Sequence, residues 1–161
     1  MSNQEKYSVI VNQINTYIDE FNNFLANDFK FKKIAAEDPS TYSDIANCEW
    51  NDQKWPSQTC AGVYILCGYH ENEPSRLGAY VGKTSLQTIG HRLSVHLSPN
   101  RYTGIYKKNC SLNETYIIEV ILSVPIKTIA LNGIAQALEE YLIIEGFNAS
   151  DARLLNKVGN R

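Results

Sequence analysis

The sequence lacks long apolar runs. Its longest apolar stretches, such as AGVYIL and YIIEVILSV, fall well short of the roughly 20 residues that a membrane-spanning helix requires. The first residues, MSNQEKYSVIVNQ, have neither the basic start nor the apolar core of a secretory signal peptide. We therefore expect a cytoplasmic protein with no membrane association.

Closely spaced cysteine ligands are also missing. The four cysteines are Cys48, Cys60, Cys67 and Cys110, with no CxxC pair and no histidine couple nearby. Structural zinc sites need such short spacings, and disulfide frameworks are typical of smaller secreted chains. We expect reduced thiols and no zinc site.

A strong net charge is absent as well, since 15 Lys and Arg residues stand against 17 Asp and Glu residues. The distribution of charge is more informative. Residues 79–113 contain five Lys or Arg residues, two histidines and no Asp or Glu, whereas residues 1–56 hold nine acids and five bases. A region of one sign attracts a polyanion whatever the net charge, although a solvated basic loop would have the same composition.

The length of 161 residues suits one domain with a substantial core. Residues 7–25 place apolar side chains at intervals of three and four, which predicts an amphipathic helix of about six turns. Its stripe would pack on the core of its own domain or pair with a second copy of itself, and it is short for a self-sufficient coiled coil. Residues 36–59 predict a connecting segment anchored by Trp50 and Trp55.

The remaining chain predicts a compact core. AGVYILCGY and AYVGK predict an antiparallel hairpin, residues 87–97 a helix, TYIIEVILSV a third strand, and ALNGIAQALEEYLIIEGF a last helix. The predicted fold class is α+β: a small three-stranded antiparallel sheet flanked by helices, a β-β-α-β-α core with an N-terminal helical extension. Residues 1–58 form the extension and connecting segment, and residues 59–161 form the core domain, the two packed as one unit.

The stretch GKT at residues 82–84 suggests a phosphate-binding loop. Such a loop is spelled GxxxxGK[ST], but Gly78 and Gly82 are one residue too close for it. The intervening AYV favours a strand over a flexible turn, and no alternating strand and helix units are visible. A nucleotide-binding protein therefore remains only an alternative.

A second pattern fits the same region better. GVY at residues 62–64 and YVG at residues 80–82 resemble the two tripeptides that name the GIY-YIG nucleases. The residues that follow also resemble that family in their order: Lys83 after YVG, Arg92 within HRL, His96, Glu139 before a Leu-Ile pair, and Asn156 within LLN. The resemblance covers residues 62–156, and the insertion HENEPSRL lengthens the gap between the tripeptides. A literal GIY at residues 104–106 comes after YVG, in a predicted loop, and is not part of the pattern.

Phosphodiester hydrolysis needs an activated water and positive charge near the phosphate. Tyr64 and Tyr80 on neighbouring strands can present their hydroxyls to one face. A phenol is a weak base unless a neighbouring cation lowers its pKa, and Lys83 and Arg92 are the candidates. The resemblance implies that Tyr64 orients or deprotonates the water and that Tyr80 supplies a second hydroxyl.

Arg92 and His96 are one helical turn apart and share a helix face. Arginine suits bidentate phosphate contact, and His96 can donate to the phosphate or relay a proton. Tyr64 and His96 are thus both candidates for the general base.

Glu139 falls at the border of the apolar stripe of its helix, while Glu140 faces solvent. One border carboxylate suits a hydrated Mg²⁺, which keeps several waters, or Mn²⁺ in its place. The metal would stabilise the departing oxygen.

The resemblance implies a magnesium-dependent endonuclease acting on DNA, with double-stranded DNA favoured. The compact chain looks most like the restriction endonucleases of the family, which would need two copies, in a homodimer, to cut both strands. The alternatives are a nuclease toxin or phage-derived cutter of low specificity, and a non-catalytic nucleic-acid-binding module. The residues expected to contact nucleic acid are Lys83, His91, Arg101, Lys107, Lys108 and Asn156.

Overall fold

A computed structural model describes residues 1–48, 60–84, 86–97, 103–109, 114–126, 132–146 and 152–156. Four residues discussed above lie outside these ranges: Trp50, Trp55, Arg101 and Cys110. Three predictions therefore fall outside the described residues: the anchoring of the connecting segment by the two tryptophans, the nucleic-acid contact of Arg101 and the reduced thiol of Cys110.

The described residues form one mixed sheet with helices on both sides. The strands are β1 (Tyr42–Asp44), β2 (Gly62–His70), β3 (Glu73–Thr84), β4 (Lys107–Asn109), β5 (Thr115–Pro125) and β6 (Arg153–Leu154). Their order is β1-β5-β2-β3-β6, and β4 pairs with β5. All pairings are antiparallel except that between β3 and β6.

The helices of the described residues are α1 (Asn3–Lys6), α2 (Ser8–Asn22), α3 (Ile89–Leu97) and α4 (Asn132–Tyr141). A π-helical turn, Leu142–Gly146, continues α4, and two short 3₁₀ turns cover Asn27–Phe29 and Ile45–Asn47. In this part of the chain no helix is long and apolar enough to cross a membrane.

The prediction of a small three-stranded antiparallel sheet is wrong. The strands expected from the sequence form the centre of the sheet, in the order β5-β2-β3, but three further strands enlarge it to six among the described residues. β1, β4 and β6 are only two or three residues long. Strands this short show no alternation of apolar and polar residues, so their segments were assigned to a connection, a loop and a tail.

The N-terminal helical segment packs on its own domain. A capping box at Ser2 and Glu5 starts α1, and α2 follows after Tyr7. The buried side chains Ile10, Ile14 and Ile18 join Tyr7 in the main core cluster. The sequence left open whether this apolar stripe packs on its own domain or pairs with a second copy of itself. The structure shows that it packs within the chain.

The sheet separates two apolar layers. The first, here called the α2–α4 face, joins α2 and α4 to the sheet residues Val63, Ile65, Cys67, Ala79, Val81, Val120, Leu122 and Val124. The second, here called the α3 face, joins Ile89, Leu93 and Leu97 of α3 to Tyr64, Leu66, Tyr116, Ile118 and Ile121. Because strand side chains alternate between faces, Tyr64 lies on the α3 face between two neighbours of the α2–α4 face.

One glycine at the start of β2 fixes how this strand enters the sheet. Gly62 has φ +152°, and a Cβ there would lie 2.2 Å from the carbonyl oxygen of Val124. Its N–H donates a hydrogen bond to the Thr84 hydroxyl at 3.2 Å. Since only glycine fits this close approach, the strand that carries Tyr64 starts at a defined position against its neighbours.

Replacing Ile14 by Ala should lower the free energy of unfolding by about 2–5 kcal/mol, because it opens a cavity in a core that folds with the sheet. Val9→Ala on the same helix is the control, since Val9 is 56% exposed, and should change it by less than about 0.5 kcal/mol. Urea unfolding measures both. Equal effects of the two variants would contradict the packing of α2 on this core.

Candidate active site

The hairpin of β2 and β3 brings the two predicted tyrosines together. In the antiparallel register Tyr64 pairs with Gly82 and Leu66 pairs with Tyr80, so the two tyrosines lie on the same face of neighbouring strands, two residue steps apart. Their ring centroids are 6.5 Å apart. Tyr64 is buried and Tyr80 is half-buried, so the pair extends from the core to the surface.

Gly82 leaves the space that Tyr64 occupies. A Cβ at Gly82 would lie 2.3 Å from Cζ and 2.5 Å from the hydroxyl oxygen of Tyr64. Such distances are far below contact, so any larger residue would displace the ring. Tyr64, the tyrosine of GVY, therefore requires a glycine at the opposite position of the neighbouring strand, which is Gly82 of YVG.

Helix α3 adds two side chains to the tyrosines. Its buried residues Ile89, Leu93 and Leu97 anchor it on the α3 face. The Tyr64 hydroxyl and His96 Nε2 are 3.3 Å apart, in hydrogen-bond contact. The centroids of the His96 and Tyr80 rings are 6.2 Å apart. Arg92, one turn earlier, is exposed and faces the same site.

The pKa of Tyr64 is raised rather than lowered. Burial is the largest cause, followed by the neighbouring Tyr80 phenol, while the nearby guanidinium of Arg92 lowers the pKa only in part. Burial likewise raises the pKa of Tyr80. The expected help from a cation is present but smaller than the cost of burying a phenolate, so both phenols are neutral in the protein alone.

His96 is neutral at physiological pH. Burial, followed by the positive charges of Arg92 and Lys108, lowers its pKa to about 4. A neutral imidazole has one N–H donor and one acceptor nitrogen. His96 can therefore accept the proton of the Tyr64 hydroxyl.

Helix α4 brings the predicted carboxylate to this group. Ala135 and Leu138 bury one side of α4 against the α2–α4 face; Glu139 is half-buried and Glu140 is exposed. This arrangement confirms the helix register deduced from the sequence.

Burial raises the pKa of Glu139, Lys83 lowers it, and Glu140 raises it. In turn the charge of Glu139 raises the pKa of both Tyr64 and Tyr80. Carboxylate, phenols and guanidinium therefore lie close enough to act on one another.

The donor set fits a weakly held magnesium ion. Among the described residues no group of three or more His, Cys, Asp and Glu side chains converges on one point. Glu139 is thus a single half-buried carboxylate, and Mg²⁺ commonly binds through one or two carboxylates together with waters and substrate phosphates.

Four of the residues predicted to contact nucleic acid lie on β3, α3 and β4. Lys83 is half-buried next to Glu139, and His91 is exposed at the start of α3. Lys107 forms an ion pair with Glu71. Lys108 lies over the Tyr80 ring, with Nζ 4.0 Å from the centroid, so the site includes a lysine that the sequence pattern assigned only to nucleic-acid contact.

Asn156 holds the strand instead of pointing at a ligand. Its Nδ2 donates to the carbonyl oxygen of Val81 at 2.7 Å, and its Oδ1 accepts from the N–H of Val81 at 2.8 Å. The side-chain amide thereby continues the pairing of β6 along the edge of β3. The structure gives Asn156 a part in positioning Tyr80 and Gly82 on either side of Val81.

The residues 78–84 do not form a phosphate-binding loop. They lie within β3 and pair with β2 from Gly62 to Gly68. Backbone N–H groups of an inner strand are used by the ladder, whereas a phosphate loop needs them turned towards one point.

No family model, curated protein or solved structure matches the chain. The resemblance to the GIY-YIG nucleases therefore depends on the order of the motif residues and on the geometry that brings them together.

Replacing Gly82 by Ala should lower the free energy of unfolding by about 1–3 kcal/mol, because the new Cβ collides with the Tyr64 ring. Gly133→Ala is the matched control, since no atom lies within 4 Å of a Cβ there, and should leave stability unchanged or slightly raised. Truncating the ring in Gly82→Ala/Tyr64→Leu should recover part of the loss. Urea unfolding of the two single variants and the double variant measures the coupling between positions 82 and 64. A coupling free energy of zero would contradict the contact between Gly82 and the Tyr64 ring.

His96 should make the protein less stable in acid. Its pKa is about 4 in the folded protein against an ordinary value of 6.5, so the unfolded chain takes up the proton first. The contribution of neutral His96 to the free energy of unfolding is complete above pH 6.5 and is lost as the pH falls towards 4. Relative to His96→Gln, the wild type should lose unfolding free energy across this interval, while His91→Gln keeps the wild-type dependence. Parallel curves for wild type and His96→Gln would contradict the assignment.

Proposed function

We propose that the chain is a magnesium-dependent endonuclease of the GIY-YIG type that hydrolyses DNA phosphodiester bonds, as a compact restriction-type enzyme. One observation carries the proposal: Tyr64, Tyr80 and His96 are neighbours on the α3 face, and the charges of Arg92 from α3 and Glu139 from α4 act on both tyrosines. Structural packing alone does not require a carboxylate, a guanidinium and an imidazole around two tyrosines. Such a set suits the transfer of a proton from water beside a phosphate.

The hydrogen bond between Tyr64 and His96 supports a path for that proton. A water attacking the phosphorus gives its proton to the Tyr64 oxygen, and the Tyr64 hydroxyl proton passes to His96. The neutral phenol explains why Tyr64 does not act as a preformed base. The entering phosphate brings negative charge, which favours the protonated imidazole and so makes His96 a better acceptor at the moment of reaction.

Arg92 and Lys83 supply positive charge at the phosphate. The exposed guanidinium of Arg92 can form two parallel hydrogen bonds to phosphoryl oxygens, which a lysine cannot. Lys83 lies beside Glu139, on the side of β3 opposite Tyr80 by strand alternation.

Glu139 is the residue that would hold Mg²⁺ together with waters and a phosphate oxygen. When bound, the metal supplies positive charge that stabilises the departing oxygen. Because burial raises the pKa of Glu139, the carboxylate gains from a nearby positive ion.

The charge distribution supports DNA as the substrate. Residues 79–113, which supply the second half of β3 together with α3 and β4, contain no acidic residue. Arg92 and His91 are exposed on α3, and Lys107 on β4. We favour a duplex and, because one site cuts one strand, a homodimer. The buried free thiols of Cys48 and Cys67 are compatible with a cytoplasmic location.

Plasmid DNA incubated with the protein and Mg²⁺ tests the proposal. Discrete fragments are expected; a smear would indicate a low-specificity cutter, and binding without cutting would indicate a non-catalytic module. Glu139→Gln should reduce cleavage at least about 100-fold, because it removes a charge that acts on the transition state. Glu140→Gln is the control and should cut like the wild type. Loss in Glu140→Gln with retention in Glu139→Gln would contradict the site.

A further inference from the structure

Lys108 occupies a place in the site that the motif pattern does not predict. It lies on β4, where it pairs with Tyr116 of β5, and its Nζ is 4.0 Å from the centroid of the Tyr80 ring. An ammonium at this distance over a ring face is attracted to the ring. The preceding residue, Lys107, is paired with Glu71, and strand alternation directs the two lysines to opposite sides.

The Tyr80 ring that Lys108 contacts is itself a neighbour of His96. Tyr80 and His96 have ring centroids 6.2 Å apart, and the imidazole carries the electrostatic effect of Lys108. The groups that act on His96 come from four elements: Tyr64 from β2, Tyr80 from β3, Arg92 from α3 and Lys108 from β4. A positive charge on the imidazole would meet a cation from α3 and another from β4.

We propose that Lys108 is a positioning residue of the site: its ammonium holds the Tyr80 ring, and through it the neighbouring imidazole of His96, in place from the β4 side. Its effect on cleavage rests on the proposed function, but its effect on the imidazole does not. β4 thereby becomes part of the site, although it adds only three residues to the sheet.

Three variants test this role. Lys108→Met removes the charge and keeps a long apolar side chain, Lys108→Arg keeps the charge and the ring contact, and Lys107→Met is the matched control on the same strand. The titration of His96 is followed by NMR in the protein without DNA or metal, with His96→Gln identifying its signals. If Lys108→Met does not fold, Lys108→Gln takes its place in the same comparison.

In Lys108→Met the pKa of His96 should rise by roughly one pH unit, the effect of losing one partly screened charge, while Lys108→Arg and Lys107→Met leave it unchanged. Cleavage should fall about 10-fold in Lys108→Met and recover in Lys108→Arg. Equal titrations in Lys108→Met and Lys107→Met overturn the inference, whatever the cleavage. A shifted titration without any cleavage by the wild type supports the role of Lys108 and contradicts the nuclease function.

Discussion

The pairing of Tyr64 with Gly82 is the constraint on which the site depends. In this register one strand supplies a ring and its neighbour supplies the space for it. A shift by one residue would turn Tyr64 to the opposite face, away from α3, and would place a side chain where the ring now lies. Gly62 at the start of β2 and the amide of Asn156 on Val81 hold the same two strands in this position.

Burial has two opposite effects on the chemistry of this site. It keeps Tyr64 and Tyr80 in their neutral forms, and it also keeps His96 uncharged. Keeping the tyrosines neutral makes a phenol a poor base. Keeping His96 uncharged gives that phenol an acceptor for its proton. Two weak groups joined by a hydrogen bond can thus carry a proton that neither would take alone, provided that a phosphate supplies the missing negative charge.

The sequence predicted the neighbours of Tyr64 better than the extent of the sheet. The tripeptides, Arg92 and His96 could be placed because each belongs to a long strand or helix with a clear apolar period. Glu139 could be distinguished from Glu140 because one turn of α4 has a buried side. The edge strands were missed because two or three residues carry no period. The contact of Lys108 with Tyr80 was missed because it joins residues far apart in the chain through the short strand β4. The bulge at Glu119, between the pairs Cys67–Val120 and Gly68–Ile118, leaves no local signal in the sequence either.

The site joins the two apolar layers of the protein. α3 is seated on one side of the sheet and α4 on the other, yet Arg92 from the first and Glu139 from the second act on the same phenols. The full set of side chains needs both layers, because α3 and α4 lie on opposite sides of the sheet. On the proposed function, the chemistry is therefore an all-or-none property of the folded chain, since a partly unfolded form that releases either helix loses part of the set.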